Sequence, residues 1–180
     1  MIFVSQMLNR IVLFFVFLGI FSASFAIGAE VQVSEEESAI ILEELESLIG
    51  EIDAVGIFGH NTLLALPMFI PGFGIAWGAF AAFSTGMAFS VLQDANPMLA
   101  NIPSLTILFM SPFGLMEIAA YSIAMSRSYM IVHKMIKRMP IRPDLRVIGL
   151  EVAILVGLLL AGGFLEYYFI ENLPTDMPQI

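Results

Sequence analysis

The chain has no cysteine among its 180 residues, which excludes a disulfide framework, a thiolate nucleophile and a cysteine-held zinc. Histidine occurs only at His60 and His133, with no His-x-x-x-His spacing, so a metal ion has no evident ligand set. Charge is scarce too: 13% of residues are charged against 59% hydrophobic. With a mean hydropathy of +0.92, the composition lies far from soluble averages and describes a membrane protein. No nucleophile–base pair, phosphate loop or dinucleotide fingerprint is present. Gly72-Phe73-Gly74 lies inside an apolar run and follows no strand, so it is not a phosphate cradle. The expectation is a single domain that is not an enzyme and carries no cofactor or metal.

What charge there is falls into two blocks. Nine of the 16 acids lie between Glu30 and Asp53, and six of the seven Lys and Arg lie between Arg127 and Arg146. Segregation of that kind is a topology signal, not a nucleic-acid surface. Basic segments favour the cytoplasmic side, which places Arg10 and the 127–146 block inside and the acidic block outside.

Residues 1–29 read as an N-terminal transmembrane anchor, with Arg10 ahead of an apolar run close to the ~20 residues a span requires. A signal peptide is the alternative, since Ser24-Phe25-Ala26 has the form of a cleavage site. Residues 30–56 read as one acidic, extracytoplasmic amphipathic helix. Ser34 and Glu37 form a capping box, and Ile41, Leu45, Leu48, Ile52 and Val55 recur at three- and four-residue steps. Its acidic face does not suit an anionic lipid surface, leaving a helix over the bundle or a docking face for a partner.

The centre of the chain is residues 57–133, two long apolar runs each broken by Pro and Gly. The first breaks at Pro71, Gly72 and Gly74, and the second at Pro112 and Gly114. The expected segments are 57–70 and 73–92, then a short run from 102, the break, and a longer helix carrying Glu117. A turn at Asp94-Ala95-Asn96-Pro97 separates the two runs. Gly74, Gly78, Ala82 and Gly86 fall at four-residue steps, a register that lets helix backbones approach closely. A 40-residue shift superposes Phe69, Phe73, Gly74 and Ala79 on Phe109, Phe113, Gly114 and Ala119, the trace of an internal repeat. Residues 134–146 read as an exposed basic cytoplasmic loop, 147–170 as the last transmembrane helix, and 171–180 as a frayed acidic tail.

These residues resemble the stage II sporulation protein M family of small multi-pass membrane proteins. The resemblance rests on Phe58-Gly59-His60-Asn61, Pro71-Gly72-Phe73-Gly74, Thr85-Gly86, and the run from Ser111 to Ala119 that contains Pro112, Gly114 and Glu117. Where many relatives carry paired Asn this chain has His60-Asn61, and where they carry Pro-His-Gly it has Pro112-Phe113-Gly114. The resemblance implies a membrane scaffold and covers about half the chain.

Polar groups inside the apolar runs mark the candidate site. His60, Asn61 and Glu117 are expected in one intramembrane cluster, with the two helix breaks brought together beside it so that their freed backbone groups share partners. Glu117 reads as a hydrogen-bonded carboxyl pinning two helices, or as a proton or cation site. Glu151 is expected to reach water or Arg146 at the membrane boundary, and His133 to meet headgroups.

The fold expected is therefore all-α: a polytopic membrane bundle of about five segments, two of them broken at Pro/Gly, plus one amphipathic extracytoplasmic helix. Residues 57–70 are either a short fifth helix or a re-entrant one. The N-terminus would be cytoplasmic and the C-terminus extracytoplasmic, in the plasma membrane. The partners expected are the lipid bilayer and other integral membrane proteins, in a hetero-complex or homo-oligomer, with no nucleic acid. The function expected is a non-catalytic scaffold or accessory subunit, and the alternative is a small transporter or channel with a proton or cation site at Glu117. Because the chain lacks cysteine, a single cysteine at position 137 should be reached by membrane-impermeant reagents only after the cytoplasmic side is opened. Labelling of that position on intact cells would overturn the orientation.

Overall fold

The computed structural model describes residues 2–50, 53–97 and 99–172, with backbone only for 2–8 and 46–50. Among these residues every regular element is helical. The α-helices are α1 (Ile2–Ala29), α2 (Glu35–Gly50), α3 (Ala54–Ala65), α4 (Phe73–Ala95), α5 (Ser104–Met110), α6 (Pro112–Ile136) and α7 (Leu145–Asn172). Short 3-10 turns at Leu66–Phe69 and Arg142–Asp144 extend α3 and lead into α7. Three stretches, Asn9–Ala29, Phe73–Ala95 and Arg142–Asn172, are long and apolar enough to cross a membrane. A fourth arises if α5 and α6, bent by 91° at their junction, count as one, while Ala54–Phe69 is apolar but shorter.

Local chemistry sets the boundaries. The Ser34 hydroxyl accepts from the Glu37 N–H (3.3 Å) and donates to the Glu37 carboxylate (2.8 Å), which starts α2. Asp53 accepts from the Gly56 N–H at 2.7 Å and starts α3. That cap corrects the expectation of one amphipathic helix across 30–56: Val55 belongs to the next helix. Glu51 and Ile52 lie outside the described residues, as do the Leu48 side chain and the tail beyond Asn172. Asp94 and Ala95 are the last turn of α4 and not part of a loop. Ser111 accepts from the Gly114 N–H at 3.2 Å and Pro112 takes the first helical position, so α6 starts sharply.

Contacts between helices give the direction of the chain. Arg10 of α1 meets Ser126 of α6, and Phe21 meets Tyr121, so these two helices run antiparallel. Gly72 meets Ser128 and Gly78 faces Met125, so α4 also runs antiparallel to α6 and therefore parallel to α1. Arg127 meets Glu151 while Phe113 meets Phe169, which makes α6 and α7 antiparallel. α3 starts where Ala54 faces Gly163 near the far end of α7, and its 3-10 extension finishes where Ile70 meets Ser128. The chain therefore passes back and forth between two ends along α1, α3, α4, α6 and α7. Arg10, Arg127, Lys134 and the 137–146 connection share one end, and α2, Asp53 and the end of α4 share the other. The two charge blocks of the sequence thus become two charged ends.

The connection at the basic end is more ordered than an exposed loop. α6 continues to Ile136, Lys134 pairs with Asp144, and α7 already begins at Leu145. The core lies between α1, α4, α6 and α7, where Met68, Ile118, Met125, Leu155 and Leu159 are fully buried beside Phe17, Phe21 and Phe25.

The small-residue stripe of α4 meets three different neighbours. A Cβ added at Gly86 would fall 2.0 Å from the Phe25 carbonyl oxygen, and one at Gly28 would fall 2.0 Å from that of Phe83. α1 and α4 therefore cross at backbone contact. Gly78 faces the Met125 side chain at 2.5 Å, Gly74 faces the Met68 carbonyl oxygen at 1.9 Å, and Ala82 is fully buried. Gly114 stands against the Leu108 carbonyl as Gly74 stands against that of Met68, six residues back in both cases. The two breaks share this contact but differ otherwise: Gly72 has φ +80° and no side-chain cap before α4, whereas the Ser111 side chain caps α6.

These contacts rank substitutions by what the new methyl meets. Gly86→Ala pushes against backbone and should destabilise by about 1–3 kcal/mol. Gly78→Ala pushes only against a flexible methionine and should cost less. Thermal unfolding in mild detergent should show that order, and the reverse order would refute the crossing.

Candidate functional site

Polar side chains in the bundle form two sites, at Glu117 and at Arg127, ten residues apart along α6. At the first, Asn61 of α3 donates from Nδ2 to Glu117 Oε1 at 2.6 Å. Asn61 is buried and Glu117 is half-buried. His60 is exposed and makes no hydrogen bond to either, because adjacent residues on a helix point about 100° apart. It lines the same cavity, a space of about 140 Å³ also bounded by Phe21, Phe25, Thr85, Leu108 and Tyr121. Glu166 of α7 lies close enough to act electrostatically on Glu117 and on Tyr121.

The cavity exists because α3 and α4 hardly touch along their length. They are held through the turn at Leu66–Phe69 and by the Trp77 indole, which donates to the Leu64 carbonyl at 3.0 Å. His60 on α3 and Thr85 on α4 are exposed on either side of this gap. α5 brings Leu108 over the cavity from the acidic end.

The breaks do not join this cluster. Pro71 and Gly72 lie beside Ser128, whose hydroxyl donates to the Ile70 carbonyl (2.7 Å) and accepts from the Gly72 N–H (3.0 Å). Gly72 adopts φ +80°, which glycine allows at little cost. Pro112 and Gly114 stand at the start of α6, 16 residues earlier and about 24 Å away along the helix. The expectation that the breaks meet is therefore corrected. One serine within a packed helix satisfies the first break, and Ser111 caps the second, so neither needs the other.

The second site was missed in the sequence. Glu151 of α7 is buried and accepts from two guanidinium groups. Arg127 Nε and Nη2 donate to its two oxygens at 2.5 and 2.7 Å, in the bidentate manner. Arg10 Nε donates to Oε1 at 2.8 Å, while its other nitrogens reach Ser126 Oγ (2.5 Å) and the Ile123 carbonyl (3.2 Å). Glu151 thus ties α1, α6 and α7 together and does not turn to Arg146, which is exposed. Arg127 is 3% exposed, so it is a core residue and not part of the surface charge block. A signal was available: Arg127 lies well inside one apolar helix and Glu151 inside the next, at comparable distances from the loop that joins them. His133 is exposed and stacks on Tyr129.

No family model matches the chain, and neither does any curated protein or solved structure.

Removing one member of a buried ion pair leaves its partner uncompensated, which costs about 3–5 kcal/mol. Glu151→Leu strands two guanidinium groups and should be the most damaging change at this site. Arg127→Met should follow, and Arg10→Met should be mildest, since its side chain is 21% exposed. Unfolding midpoints of the purified variants test this ranking, and a neutral Glu151→Leu would contradict it.

Proposed function

We propose that the chain is a non-catalytic integral membrane scaffold or accessory subunit that assembles with other membrane proteins, the role its resemblance to the stage II sporulation protein M family implies. In this reading α1, α3 with its 3-10 extension, α4, α6 and α7 are five crossings. The α3 segment rises about 26 Å, slightly less than the ~30 Å hydrocarbon layer, and ends at the Pro71–Gly72 turn. The basic end faces the cytoplasm and α2 lies outside, in keeping with the preference of basic loops for the inside. α1 is a retained anchor, since it supplies Phe17, Phe21 and Phe25 to the core.

The observation that carries the assembly reading is an uncovered face of α7. Gly149, Ala153, Gly157 and Ala161 recur every four residues and are all exposed, and a Cβ at Gly149 or Gly157 would meet nothing within 4 Å. On α4 the same register is filled by α1, α6 and the 3-10 turn. In lipid, such a face gains from a second helix packed against it, because close backbone approach replaces contacts that lipid tails make less well. The transporter or channel reading has less support. It calls for a polar path from Glu117 to both ends, and toward the basic end the bundle is filled by fully buried Met68, Met125, Leu155 and Leu159.

Gly157→Ile fills the α7 face without touching the core. It should abolish association with the partner helix while leaving the unfolding midpoint of the separated chain unchanged. Gly157→Cys in the cysteine-free chain should cross-link to that partner in native membranes. Unaltered assembly of Gly157→Ile, with no cross-link from Gly157→Cys, would refute the reading.

A further inference from the structure

The two polar sites balance their charge differently. At the basic end Glu151 has two guanidinium partners. At the cavity, no ion pair among the described residues reaches Glu117, and Glu166 adds a second carboxyl to its surroundings. Glu117 Oε1 takes the Asn61 N–H, whereas Oε2 enters no described hydrogen bond. A carboxyl in so apolar a setting is accompanied by a proton or by a cation from outside the chain.

The cavity has room for more than a proton. At about 140 Å³ it would hold several waters or one small organic group. Its walls carry Phe21, Phe25 and Tyr121 beside the single carboxylate that opens into it. That combination is poor for an inorganic ion, which asks for many oxygens. It suits an alkylammonium ion, because the carboxylate takes the charge and the aromatic wall packs against the alkyl part. Access exists where α3 and α4 part, at the exposed His60 and Thr85.

We propose that this cavity binds a small organic ammonium ion, with Glu117 as its counter-charge, Asn61 holding Glu117 in place and the aromatic residues of α1 and α6 forming its wall. The ion is either the headgroup of an aminophospholipid entering between α3 and α4 or a free amine. The site is independent of the α7 face, so neither proposal depends on the other.

The test uses the full chain in amine-free detergent, with ethylammonium chloride as probe and potassium chloride at equal ionic strength as control. Ethylammonium should raise the unfolding midpoint in a saturable, concentration-dependent way, and potassium should not. Glu117→Gln keeps an acceptor for Asn61 but loses the charge, so the rise should vanish. Ala81 of α4 also lines the cavity, and Ala81→Leu, which narrows it and leaves Glu117 intact, should remove the rise as well and decides the matter if Glu117→Gln does not fold. An equal rise with potassium or in both variants would overturn the proposal, as would no rise in the parent chain, which would leave the cavity to water and a proton. Nanodiscs with and without phosphatidylethanolamine identify the source. A lipid ligand should stabilise the chain and blunt the ethylammonium response, whereas a free amine should act equally in both.

Discussion

A polar group inside an apolar bundle has no water to fall back on, and every break in a helix adds such groups. Here α6 supplies most of the remedy. Its Ser111 caps the helix start, Glu117 receives Asn61, Ser126 receives Arg10, Arg127 holds Glu151, and Ser128 closes the break at Ile70 and Gly72. The other long helices can afford to be apolar because this one is not. The same trait explains why α6 counts as long and apolar enough to cross a membrane only together with α5. It touches α1, α3, α4 and α7 and is the most continuously buried helix, so its polar side chains face protein.

The all-helical class and several helix starts were legible in the sequence because apolar periodicity and Pro/Gly punctuation are local signals. The starts of α4 and α6 follow from Pro71-Gly72 and Ser111-Pro112, and the Ser34–Glu37 box reads directly from its spacing, whereas apolar periodicity runs one helix through Asp53, which in fact caps α3. What escaped was pairing between distant residues. Asn61 and Glu117 could be matched because both are anomalous in apolar runs, yet His60 looked equally anomalous and faces the cavity mouth instead. Glu151 and Arg127 were read as boundary charges because each lies within a few turns of a helix end, where long side chains usually reach water. Only the three-dimensional arrangement shows that both turn inward. Glu166 gave no signal beyond being one acid near the close of an apolar helix.

Small residues serve the molecule in two ways. On α4 they are spent internally, admitting α1 at backbone contact, seating Met125 and allowing the 3-10 turn to fold back on Gly74. On α7 the same four-residue spacing is left open on the surface opposite Glu151, Leu155 and Leu159. Fold and proposed assembly would then draw on one packing device, used once within the chain and once outside it.

The three-way bridge at Glu151 also has a consequence in time. The chain is made from its N-terminus, so Arg10 enters the apolar phase with the first helix, and Arg127 follows more than a hundred residues later. Their shared counter-charge arrives only with the final helix. Until then neither guanidinium has the carboxylate that takes it in the finished fold. Docking of α7 then satisfies both at one carboxylate.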